Sequence, residues 1–223
     1  MNIVLVKILL LGTIAMLLPI VIQSRWYKIK LWKCFPIAFL LTVVGTAGTN
    51  VWYYIESGFV GGRSFFGAVF LVPVVFVLLS KLFRIPYGEI VDLCAPAECV
   101  MLAIMKVQCL KEGCCAGRVI YTTVEGAEVL FPSQIAEMGN AVIIFFVLML
   151  LAHNWRYKGS IYPTYLILYG ISRFVLNFFR SGITPVILGL SYGSFWALCA
   201  CIIGITWLYV NKKKQMHTTE GNE

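Results

Sequence analysis

Charge is scarce in this chain. Of its 223 residues, 13% are charged, ten are acidic and two are histidine, against 60% hydrophobic and a mean hydropathy of +0.87. A soluble domain needs a polar surface, and these residues do not supply one, which excludes a water-soluble fold and leaves an integral membrane protein. Internal repeats and long linkers are also lacking, so residues 1–210 read as one polytopic domain and residues 211–223 as a basic, disordered cytoplasmic tail. The first apolar segment lacks the basic start and small-residue cleavage site of a signal peptide and reads as retained.

What is present is a series of apolar runs near the 20 or so residues that cross a hydrocarbon core. Seven spans are expected, at Asn2 to Gln23, Cys34 to Tyr54, Ser64 to Leu82, Tyr87 to Val107, Gln134 to Asn154, Ile161 to Phe179 and Leu188 to Val210. The expected fold class is therefore an all-α integral membrane protein of about seven transmembrane helices. The fourth span is unusual, because it carries Glu89, Asp92 and Glu98 and is interrupted by Pro96. Lipid cannot satisfy such groups, so this segment must be covered by protein or line a wet cavity.

Basic residues set the orientation. With the N-terminus outside and the C-terminus cytoplasmic, the inner segments hold Arg25, Lys28, Lys30, Lys33, Lys81, Arg84, Arg156, Lys158 and Lys212 to Lys214. The cations left on the outer side are Arg63, Lys106, Lys111, Arg118, Arg173 and Arg180. Arg173, Asn177 and Arg180 fall at i, i+4 and i+7, which on a helix is one face. An intramembrane pair of arginines suggests an anion, most plausibly a phosphate, and the anion at hand is a phospholipid head group. The plain structural reading is a buried ion pair between Arg173 and Glu137, Glu98 or Asp92. The two histidines, His153 at the inner end of the fifth span and His217 in the tail, lie away from such an outer site.

The stretches GGRSFFGAV, DLCAPAECV, MKVQCLKEGCCAGR, FPSQIAE and LYGISRFVLNFFR, in this order from about Gly61 to Leu208, resemble the prolipoprotein diacylglyceryl transferase family. The resemblance implies a multi-pass enzyme of the bacterial plasma membrane. Such an enzyme moves the diacylglyceryl group of phosphatidylglycerol to the lipobox cysteine of a prolipoprotein signal peptide and releases glycerol 1-phosphate. The implied partners are that phospholipid or a related one, the signal peptide and the membrane, with no nucleic acid and no cofactor.

Carried onto this sequence, the family's HGG motif stands as Phe66, Gly67 and Ala68, without its histidine. Lys106 takes the place of the arginine of a GR-x-GNF-x-N signature. Its surroundings match a GCCYG variant, here Gly113, Cys114, Cys115, Ala116 and Gly117. HPSQ becomes Phe131, Pro132, Ser133 and Gln134; Glu137 is kept; Arg173 and Arg180 match basic positions that flank Asn177. The implied catalytic residues are Lys106, Glu137, Arg173, Cys114 and Cys115, and the lipid phosphate falls to Arg63, Lys106, Arg173 and Arg180. Gly61, Gly62, Phe66, Gly67, Ser133, Gln134 and Asn177 are expected at the cavity entrance.

Cys109, Cys114 and Cys115 admit three readings: a disulfide from Cys109 to either neighbour, a catalytic thiolate beside Lys106, Lys111 and Arg118, or a metal site. Adjacent cysteines rarely close a tetrahedral site alone and no histidine stands nearby, so no metal is expected. The missing HGG histidine leaves two alternatives to a transferase: a non-catalytic relative that binds phospholipid or a lipobox-like peptide, and a thiol redox membrane protein.

Overall fold

A computed structural model describes residues 3–154, 158–181 and 185–220, excluding the side chains of 3–8, 154 and 215–220. Among the described residues it contains seven α-helices: α1 Ile3–Trp26, α2 Cys34–Ser57, α3 Phe66–Phe83, α4 Tyr87–Glu112, α5 Ser133–Asn154, α6 Ile161–Asn177 and α7 Tyr192–Glu220. A short 3-10 turn, Leu31–Lys33, precedes α2, and an antiparallel hairpin, β1 Val119–Thr122 with β2 Glu128–Leu130, joins α4 to α5. Five helices, α1, α2, α3, α5 and α7, are long and apolar enough to cross a membrane. The backbone of α7 continues as helix through Lys212–Lys214 to Glu220, where the sequence suggested a disordered tail; residues 221–223 lie outside the described residues.

The acid-bearing segment α4 packs against α1, α3, α5 and α6. Ten consecutive residues, Ile90 to Cys99, are buried, so this part of the helix is covered on every side. Pro96 lies inside it without ending it, a correction to the broken helix expected. Asp92 explains how a carboxylate survives there. Its Oδ1 accepts the N–H of Tyr162 at 2.9 Å, and its Oδ2 accepts the N–H of Gly159 at 2.7 Å and the Tyr27 hydroxyl at 3.1 Å. The start of α6 has unpaired N–H groups and a positive dipole end, and a carboxylate from α4 satisfies both.

Where bulky side chains would hold helices apart, glycine lets them close. An ideal Cβ on Gly48 would lie 2.8 Å from the Gly67 carbonyl oxygen, and one on Gly67 would collide with the Gly48 carbonyl, so α2 and α3 touch backbone to backbone. Small residues allow this approach in membrane bundles. Likewise α6 meets α7 at Gly170 and Gly204, where an added Cβ would stand 2.6 Å from the Ala197 oxygen and 2.7 Å from the Pro163 oxygen.

The two ends of the bundle differ. One end is knit by basic residues: Lys158 pairs with Glu89 at 2.8 Å, Lys33 donates to the Phe83 carbonyl at 2.5 Å, and His153 packs on Trp26 with ring centroids 5.1 Å apart. At the other end α2, α4 and α6 finish, α3, α5 and α7 begin, and the hairpin projects. A cavity opens there.

Gly67→Ala is expected to lower the thermal midpoint of the purified protein in detergent, by about 1–3 kcal/mol of stability, because the methyl meets backbone that cannot yield. Gly139→Ala, which meets open space, should leave the midpoint unchanged or raise it. Equal responses to the two changes would mean that the α2–α3 contact is not tight.

Candidate functional site

The cavity has a volume of about 710 Å³, within the range that holds a drug-sized ligand. Its polar centre is Glu137 on the second turn of α5. Lys106, from the last turns of α4, approaches Glu137 Oε2 at 2.7 Å, and Arg173 of α6 approaches Oε1 at 2.6 Å. The three side chains are 5–11% exposed. Arg180 lies within electrostatic reach of the same carboxylate, and its buried Nε has no hydrogen-bond partner among the described residues. One carboxylate therefore faces three cations, and across the whole lining four cations, Arg63, Lys106, Arg173 and Arg180, stand against the carboxylates of Glu56, Glu112 and Glu137. Burying such charge without full compensation is costly, so the site favours an incoming anion.

Arg180 reaches this place by a route that differs from the helix face expected. The helix α6 ends at Asn177, and tight turns carry the chain onward, with Arg180 N–H bonded to the Asn177 carbonyl at 3.2 Å. Arg180 then forms an antiparallel bridge with Gly117; Arg118 N–H donates to the Phe179 carbonyl at 2.9 Å and Arg118 Nε to the Arg180 carbonyl at 3.3 Å. Asn177 lines the cavity and donates to Ser191 at 2.6 Å and Ser194 at 2.7 Å, which pins the start of α7. The plain reading of Arg173 is also realised, since it pairs with Glu137 rather than with Glu98 or Asp92.

The remaining expected residues divide. Arg63, Gly61, Gly62 and Phe66 line the cavity, with Arg63 Nη1 donating to Gln108 Oε1 at 3.1 Å. Phe66 forms an apolar wall, its ring 5.6 Å from that of Tyr169 and stacked on Phe70 at 5.9 Å, so no titratable group occupies that position. Gly67 is buried in the α2–α3 contact and does not form the entrance. Ser133 and Gln134 depart from the entrance as well: Ser133 donates to the Cys115 carbonyl at 2.5 Å, and Gln134 donates to the Cys114 carbonyl at 2.6 Å. Both shape the cysteine loop. Tyr169 and Glu56 were missed. Tyr169 lies four residues before Arg173, so the helical spacing that singled out Arg173 also pointed to it; Glu56, at the end of α2 and bonded to Ser64 at 3.0 Å, gives no signal in the sequence.

All eight cysteines are free, including the three for which a disulfide was one of the readings. Cys109, Cys114 and Cys115 line the cavity, with their sulfur atoms within 4.8 Å of one another. A hydrogen bond from Cys109, helped by Lys106 and Arg180, brings the Cys115 thiol down to about 5 despite partial burial; the same bond pushes Cys109 up. A thiolate of this kind is a weak base toward an ordinary thiol near 8.5.

A family model described as prolipoprotein diacylglyceryl transferase matches residues 11–210, a longer stretch than the motifs alone suggested. Curated proteins named phosphatidylglycerol–prolipoprotein diacylglyceryl transferase are similar. One from Geobacter sulfurreducens is 30% identical over 142 residues, covering 60% of this chain and 54% of its own. One from Dehalococcoides mccartyi is 26% identical over 166 residues, covering 69% and 63%. One from Idiomarina loihiensis is 27% identical over 176 residues, covering 74% and 65%. The chain thus spans between about half and two thirds of the length of these relatives.

The charge around Cys115 has a direct readout. In reduced protein kept in chelator, Cys115 is thiolate above about pH 5, so its alkylation by iodoacetamide, followed by mass spectrometry, should stay level from pH 8 to 6 and fall off below 5. Arg180→Met removes a stabilising cation and should move the fall to higher pH. A tenfold loss of rate at Cys115 between pH 8 and 7 would mean an ordinary thiol.

Proposed function

The chain belongs to the prolipoprotein diacylglyceryl transferase family, and from that membership we propose that it transfers the diacylglyceryl group of phosphatidylglycerol to the lipobox cysteine of a prolipoprotein signal peptide, at the outer leaflet of a bacterial plasma membrane. The observation that carries this reading is the convergence of Lys106, Arg173 and Arg180 on Glu137, with an Arg180 Nε that has no hydrogen-bond partner among the described residues.

In the proposed reaction, sulfur displaces a phosphate at a glycerol carbon. The phosphodiester enters with one negative charge and leaves as a monoester with nearly two. Lys106, Arg173 and Arg180 stand where that extra charge develops, and preorganised cations of this kind stabilise the transition state more than the ground state. Glu137 keeps Lys106 and Arg173 from repelling one another before substrate arrives. Arg63, at the rim, meets the head group first. Phe65, Phe66 and Tyr169 supply a dry wall for the glycerol and the first acyl carbons, and the Gly58-to-Phe65 loop forms the entrance from the bilayer.

This chemistry places the cavity outside and the basic end, with Arg25, Lys28, Lys30 and Lys33, in the cytoplasm. An impermeant maleimide should therefore label the exposed Cys114 in intact cells. Labelling that requires lysis would reverse the orientation and remove the outer leaflet as lipid source.

The function itself is tested by complementation of a strain depleted of its own transferase, and by transfer from labelled phosphatidylglycerol to a lipobox peptide. Arg180→Ala should cut the transfer rate on the order of a hundredfold, whereas Lys158→Ala at the opposite end should leave it within about twofold. Arg180→Lys should restore part of the rate, since charge returns without the planar fork. Failure of the unmodified protein to complement or to transfer would sink the proposal.

A further inference from the structure

The phosphate chemistry leaves three thiols at the cavity lip without a role and assigns no residue to activate the acceptor thiol, since Phe66 stands at the position of the family motif's histidine. The two gaps fit one another. Cys109 sits on the last turn of α4, Gly113 at φ +66 reverses the chain, and Cys114 N–H bonds back to the Cys109 carbonyl at 3.1 Å. This turn returns Cys114 and Cys115 to Cys109 and brings the three sulfurs within 4.8 Å of one another. Thiolates that share a zinc ion at a Zn–S distance of about 2.3 Å stand roughly 3.8 Å apart in a tetrahedral set, so small side-chain rotations close the triad.

The loop backbone is held from α5. Cys115 has φ +62, a left-handed conformation that costs a non-glycine residue on the order of 1–2 kcal/mol. The hydrogen bonds from Ser133 and Gln134 to the carbonyls of Cys115 and Cys114 fix that conformation from α5. Lys106 and Arg180 line the same cavity as the three thiols, so cations stand close to the net negative charge of three thiolates on a divalent ion. Among the described residues no His, Asp or Glu joins the three cysteines as a fourth ligand. Three protein ligands with a position left open is the pattern of catalytic rather than structural zinc.

We propose that Cys109, Cys114 and Cys115 hold a thiophilic divalent cation of the zinc type, whose open position receives the cysteine thiol of the acceptor peptide. The proposal rests on the transfer reading above and supplies its missing activation step. A thiol that coordinates such an ion is deprotonated; its proton passes to water at the cavity mouth. The sulfur lone pair forms the C–S bond to the glycerol carbon while the C–O bond to phosphate breaks, and that electron pair leaves on the phosphate oxygen as glycerol phosphate. No oxidant or reductant is needed.

Cobalt(II) is the probe. Full-length, reduced, metal-free protein in detergent should bind one equivalent, with a sulfur-to-cobalt charge-transfer band and intense tetrahedral ligand-field bands. Cys114→Ser, an exposed position, and Cys115→Ser should each abolish them. A lipobox peptide should shift the ligand-field bands, and the same peptide with serine for cysteine should not. Chelation should remove transfer activity, and zinc should restore it, with phosphatidylglycerol binding unchanged. Absence of the thiolate band, a band indifferent to the cysteine peptide, or transfer that survives chelation would each overturn the proposal. The spectral readouts need no phospholipid, so they stand even where transfer fails with and without metal, an outcome that would instead count against the transfer reading.

Discussion

One buried carboxylate organises the cavity end of this protein. Glu137 draws Lys106 from α4 and Arg173 from α6 to its two oxygens, so three helices converge on a single group. Charges of this kind are tolerated in a membrane protein only when paired, and the pairing here is incomplete in a specific direction. Cation exceeds anion. The cavity, the bridge that delivers Arg180 and the cysteine loop all lie around this cluster.

The opposite problem is solved at the other end of the same helix. Asp92 is as deeply buried as Glu137, yet it takes its partners from backbone N–H groups and a tyrosine. Such a carboxylate is fully used in joining α4 to α6 and has nothing to offer a ligand. The contrast separates an acid that fastens the bundle from an acid that gathers cations at a cavity. Both lie on or against α4, which explains why this acid-bearing helix is enclosed by its neighbours.

Much of this was legible in the sequence. Apolar runs place six of the seven helices within about five residues of their ends, because a hydrocarbon core calls for runs of similar length, whereas α7 continues ten residues past the expected end at Val210. Helical spacing also singled out Arg173 as a residue that cannot face lipid. Arg180 was placed correctly near it for an incomplete reason, since the helix stops at Asn177 and a strand bridge completes the approach. The hairpin at 119–130 went unread, as two strands of four and three residues leave too short a pattern to see. Gly67 was assigned to an entrance and proved to be a helix contact, because a motif records that a glycine is needed and not which surface needs it. Ser133 and Gln134 act on the cysteine loop through backbone carbonyls, a kind of partner that side-chain identities do not reveal.

The buried stretch of α4 also bears on how the chain is assembled. A helix with Glu89, Asp92 and Glu98 partitions poorly into lipid by itself, each acid at mid-membrane costing about 3 kcal/mol. The groups that satisfy Asp92, at Gly159 and Tyr162, lie 67 and 70 residues downstream. During synthesis, then, α4 leaves the ribosome well before α6 exists to receive it. The partners that make its buried carboxylate tolerable therefore exist only once the first residues of α6 have been made.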